Sequence, residues 1–169
     1  MTHDHRSHEG AKKLYELVKD VKFTMFTTVE PDGTLHSRPM YNQEADEHGD
    51  FWFFTKLHSP KVEEISKDNQ VNLSFADPSS QTYVSISGKA EVSRDKTKIN
   101  EKWSEGLKTW FPKGKDDPEV ALIRVHPQAG EYWDSPSSTL IHLYGYVKAT
   151  LTGEPPYELQ DQKKVDLRG

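Results

Sequence analysis

From Ser37 to Lys61 the chain reads S-R-P-M-Y, then F-W-F-F-T, then K-L-H-S-P-K. Arg38 lies on one strand-like run. Thr55, Lys56, Ser59 and Lys61 follow the next, where Ser59-Pro60 signals a helix start. A guanidinium offers a planar fork of donors that suits phosphate oxygens. The hydroxyls of Thr55 and Ser59 add donors, and a helix start adds free N–H groups and the positive end of a dipole. Taken singly, each residue has a plainer use: Ser59 caps its helix, and Arg38, Lys56 and Lys61 are surface charges. Taken as a set beside the aromatic run 51–54, they read as a phosphate grip next to an aromatic wall.

A small flat molecule with a phosphate tail fits both halves, and flavin mononucleotide (FMN) is the candidate. Trp133, in E-Y-W-D, is a further aromatic that could cover a ring or close a subunit interface, with core packing as its plainer role. Other chemistries find less support. His36, His58, His126 and His142 are scattered without metal-ligand spacing, so no metal site is expected. Ser135, Ser137 and Ser138 lack a nucleophile elbow, Glu63-Glu64 reads as a helix-surface pair, and no catalytic acid or base is identifiable.

The elements that must position the grip follow from periodicity. Residues 1–9 are polar and read as a flexible tail; Ala11, Leu14, Tyr15, Leu17 and Val18 mark a helix over about 10–20. Val21, Phe23, Met25, Thr27 and Val29 alternate with Lys22, Thr24, Thr28 and Glu30, Phe26 interrupting, which predicts a strand with the first set buried. Pro31-Asp32-Gly33 turns the chain back through 34–42. Residues 43–50 read as an exposed acidic loop, and 50–55 as a strand covered on both faces. Further strands are predicted at 69–75, 82–92, 120–126 and from 130, with Gly88 marking a bulge or bend. A helix is predicted at 96–110, 140–151 is ambiguous, and 152–169 reads as a loose tail. The sum is an antiparallel β-barrel with peripheral helices.

Composition narrows the class. The chain has 169 residues, 33% of them hydrophobic, and a net charge of −5. That length fits one domain with some apolar surface reserved for a partner. The acidic balance argues against duplex nucleic acid. The absence of cysteine excludes disulfides and thiolate metal sites. No apolar run approaches the ~20 residues of a membrane span, and the polar start lacks a secretory pattern. A cytoplasmic protein without membrane or nucleic-acid partners is expected.

Four motifs carry a resemblance: F-T-T-V-E-P-D-G-T-L-H-S-R-P-M, F-W-F-F-T-K-L-H-S-P-K, V-S-I-S-G-K-A-E-V and E-Y-W-D. Over roughly 10–151, flanked by tails at 1–9 and 152–169, the chain resembles the pyridoxamine 5′-phosphate oxidase-like superfamily, and within it the general stress protein 26 branch. The resemblance implies a six-stranded antiparallel FMN-binding split barrel and a homodimer with FMN at the subunit interface. It implies that Arg38 and Lys61 hold the FMN phosphate with Ser59 and Thr55. Pro39 and Met40 then line the isoalloxazine, Phe54 lies alongside, and Trp133 belongs to the part that meets the partner's flavin. The chain also departs from the oxidases. Where they carry Arg-x-His after the tryptophan it has Thr139 and Ile141, with His142 one position off. Leu143 replaces a flavin-assisting arginine, and Pro60 a basic residue. These departures argue against oxidation of pyridoxamine 5′-phosphate. They imply either a flavin-dependent oxidoreductase with an undefined small-molecule redox partner or a non-catalytic flavin-binding or storage protein.

Overall fold

The computed structural model describes residues 2–43, 45–135, 139–153 and 161–168, with the side chains of 2–8 and 139–145 left aside. Strands β1 (Phe23–Val29) and β2 (Leu35–Tyr41) form the expected hairpin. Asp32 accepts from Thr34 N (3.0 Å), and Gly33 takes the positive φ (+86°) that the turn requires. β1 corrects the expected facing. It buries Thr24, Phe26 and Thr28 and leaves Phe23 and Met25 exposed. The inward threonines are satisfied: Thr24 Oγ1 donates to Ser74 O (2.9 Å) and Thr28 Oγ1 to Glu64 Oε2 (2.5 Å). Alternation marks two faces of a strand but not which one is the inside, and here the more apolar face is the outer one.

Strands β3 (Phe51–Lys56), β4 (Gln70–Asp77), β5 (Thr82–Ser93) and β6 (Val120–Asp134) complete an antiparallel path in the order β2-β1-β4-β5-β6-β3. The end strands β2 and β3 approach each other, so the sheet curls into a split barrel. Its interior is filled by Phe26, Phe51, Phe53, Leu73, Ile86 and Val125. β3 is covered on both faces, as expected. Trp52 and Phe54 point away from the barrel into a second cluster with Ile99, Leu107, Phe111 and Leu122. That outer layer comes from helix α3 (Lys96–Lys102) and a 3₁₀ turn, Glu105–Thr109, in place of one helix over 96–110. Asp95 caps α3, accepting from Thr97 N at 2.9 Å. The chain leaves the α-helical path after Lys102, and the tighter turn brings Leu107 inward.

β6 is one long strand, not two. The register slips between Ser87 and Gly88, opposite Pro127 and Ala129. Pro127 has no N–H to give the ladder, and a Cβ on Gly88 would lie 2.5 Å from the His126 carbonyl. The predicted bulge is therefore present, and it bends the strand without ending it.

Both expected tails require correction. Helix α1 spans Thr2–Val18, so most of 1–9 extends the helix that the apolar stripe from Ala11 nucleates. Within 152–169 lies a seventh strand, β7 (Asp161–Asp166), antiparallel to the far half of β6. It was invisible in the sequence because Val165 alone among its residues is buried, against Gly10 of α1. The ambiguous segment is helix, α4 (Thr139–Thr152). The loop 43–50 is less exposed than expected. Asp50 is fully buried, accepting from Arg124 Nε at 2.6 Å, with His126 Nδ1 at 2.7 Å. Asp46 accepts from Trp52 Nε1 at 2.7 Å. Among the described residues no helix is long and apolar enough to cross a membrane.

Candidate cofactor-binding site

β3 ends at Lys56, and a tight turn, with Ser59 N donating to Lys56 O (3.1 Å), feeds directly into helix α2 (Pro60–Lys67). Ser59 occupies the N-cap position, yet its side chain makes no capping bond. Its hydroxyl instead lies 3.2 Å from Thr55 Oγ1, which accepts from Lys61 Nζ at 3.4 Å. Two hydroxyls and an ammonium thus converge at the mouth of a helix. Burial, and then the positive charge of Arg38, push the Lys61 pKa below its usual 10.5. An arriving anion opposes both effects by favouring the charged ammonium.

This cluster opens into a cavity of about 390 Å³, within the range of small-molecule and cofactor sites. Pro39 and Met40 of β2 form one wall, and Phe54, Thr55 and Lys56 of β3 another, with Ser59 and Lys61 at the end. The structure also supplies wall residues that sequence reasoning missed: Phe23, Tyr41, Gln43, Leu107, Trp110 and Phe111. Tyr41 was within reach, since period-two alternation puts it on the side of Pro39. Trp110 and Phe111 follow the 3₁₀ turn, and no local spacing reveals that this connection folds over β3. Tyr41 and Trp110 have ring centroids 5.7 Å apart, and Phe23 meets Tyr41 edge-on at 5.6 Å. No carboxylate or imidazole lines the cavity among the described residues.

Two of the sequence-predicted residues stand apart. Arg38 lies beside the cavity, not in its wall. Its Nη1 donates to Thr28 Oγ1 (2.5 Å) and its Nη2 to Glu64 Oε2 (3.0 Å). Trp133 sits at the opposite end of the 15-residue β6 from the stretch that pairs β3. It shares the outer face of the sheet with its cross-strand neighbour Tyr83, while Tyr132 points into the core. The positions of Thr139, Ile141, His142 and Leu143 lie on α4, where side chains fall outside the described residues.

Known proteins place this architecture. The profile of the pyridoxamine 5′-phosphate oxidase like family matches residues 9–157. Protein bli-3 of Neurospora crassa is 28% identical over 144 residues, covering 79% of this chain and 69% of that protein. The crystal structure of a general stress protein 26 from Jannaschia sp. CCS1 is 26% identical and superposes with a TM-score of 0.76, covering 94% of this chain and 99% of the other. That of the general stress FMN/FAD binding protein of Xanthomonas citri is 28% identical, with a TM-score of 0.67, over 78% and 92% of the two chains. The family match spans most of the chain and the fold agrees along nearly its whole length: this protein belongs to the pyridoxamine 5′-phosphate oxidase like family, in its general stress protein 26 branch.

Proposed function

We propose that the protein binds FMN in the cavity between β2, β3 and α2, at the interface of a homodimer, and acts as a flavin-dependent oxidoreductase. The observation that carries this reading is the convergence of Lys61, Thr55 and Ser59 at a helix mouth that opens onto an aromatic-walled cavity. The phosphate meets the two hydroxyls and Lys61, with Lys56 adding charge from the rim. Arg38 serves from the side, because among the described residues only two of its five donors are taken, by Thr28 and Glu64. The ring lies along Pro39, Met40 and Phe54. The relative from Xanthomonas citri that is named as binding FMN/FAD supports the choice of ligand.

The outer face supports the dimer reading. Phe23, Met25 and Tyr83 are 53%, 42% and 42% exposed on this face. The cross-strand row Pro39, Met25, Ser74, Ser85 carries no charge. A two-fold contact through this face is self-complementary and brings Trp133 of the partner subunit toward the cavity.

A bound flavin supplies hydride and electron transfer, while the chain supplies orientation, phosphate neutralisation and exclusion of water. The lack of a carboxylate or imidazole in the wall favours a second reading, a flavin-binding or storage protein without turnover. Titration of the protein with FMN, followed by assays with reduced nicotinamides and quinones as partners, separates the two. Saturable binding with steady turnover supports the oxidoreductase, binding without turnover supports storage, and no saturable binding contradicts both.

A further inference from the structure

Outside the cavity, Glu30 at the end of β1, His36 on β2 and Glu64 on α2 bring their side chains together. One ligand atom from each lies within 4.8 Å of the other two. His36 Nδ1 is 3.1 Å from Glu30 Oε1 and 4.0 Å from Glu64 Oε1. Around a divalent metal with bonds near 2.0–2.2 Å, tetrahedral ligand atoms sit about 3.4 Å apart. The observed spacings bracket that value, and the two half-exposed side chains, Glu30 and His36, can close the difference.

Glu64 is held by one oxygen and presents the other. Glu64 is 8% exposed, and its Oε2 accepts from both Thr28 Oγ1 and Arg38 Nη2. Its Oε1 accepts no hydrogen bond from the described residues and faces His36. Thr28 and Arg38 thus fix the orientation of Glu64 before a metal arrives. Glu30 turns Oε1 to His36, while its Oε2 lies 3.3 Å from Thr34 Oγ1, whose proton goes to Asp32 Oδ1 at 2.6 Å. Arg38 offsets one of the two carboxylates, so the pocket stays net negative when His36 is neutral.

We propose that Glu30, His36 and Glu64 form a binding site for a divalent transition-metal ion of the zinc and cobalt type. One imidazole and two carboxylates suit such ions, and the solvent side leaves room for water to complete the coordination. The three residues come from three separate elements, so no sequence spacing announces them. The site lies outside the flavin cavity, although Arg38, which holds Glu64, borders both.

The test uses the full chain with His3, His5 and His8 replaced by alanine, because a histidine tract binds metals by itself. Zn²⁺ is titrated calorimetrically, and Co²⁺ is followed by its visible absorption. The expected result is one ion per chain, with His36→Ala weakening binding by more than about tenfold, the scale on which even supporting partners of metal ligands act. His36 is half exposed, so this variant keeps the fold. Glu30→Gln, at a partly exposed position, must weaken binding too. Absence of a stoichiometric ion in the parent, or unchanged affinity in His36→Ala, overturns the proposal.

Discussion

Lys61 is the residue on which the flavin reading turns. Without a ligand it is a partly buried cation beside Arg38, and its pKa is lowered. In that state its charge opposes folding, and stability gains as pH rises through the lowered pKa toward 10.5. A bound phosphate reverses the sign, since the protonated form then makes the contact. FMN affinity should therefore fall with rising pH before an ordinary lysine would titrate, and the fall should vanish in Lys61→Met. Removing this charge-assisted contact is expected to cost about 1.5–3 kcal/mol of binding, measured by fluorescence quenching across pH. The convergence of Thr55, Ser59 and Lys61 was legible because 55–61 is contiguous and ends in a helix signal. The partners of Arg38 were not, because Glu64 reaches it from a helix that sequence reads only as a charged surface.

At the scale of elements, β6 organises the molecule. Its first half pairs β3 and so fixes the cavity wall, and its second half pairs β7. The bend between them depends on the absence of a side chain at Gly88. Gly88→Ala should destabilise the fold by about 1–3 kcal/mol, because the clash is with backbone and cannot relax through a rotamer; urea denaturation measures it. A glycine within an alternating strand pattern made this bulge readable. β7 could not be read, since one buried valine among charged residues leaves no period-two signal. For β1 the period was right and the facing wrong. Threonine hydroxyls that find partners inside a barrel look, in sequence, like a solvent face.

For the whole molecule, that inverted strand becomes informative. Apolar residues turned outward on β1 and β5 leave exposed surface in a lone subunit that the proposed two-fold pairing would cover. Met25→Glu and Tyr83→Glu together are expected to convert a dimer to a monomer in sedimentation experiments with the circular dichroism unchanged. The same change should weaken FMN binding, because the proposed interface supplies part of the cover over the ring. A monomeric parent protein, or a monomeric variant that binds flavin as tightly as the parent, contradicts the interface.

The most direct measurement is an FMN titration of the parent protein and Lys61→Met side by side at neutral pH. Saturable quenching at one flavin per chain, with affinity lowered roughly 10- to 100-fold in the variant, is the predicted result. Failure of the parent to saturate, or equal affinity in the two proteins, would show that the hydroxyl and ammonium cluster at the mouth of α2 is not a phosphate site.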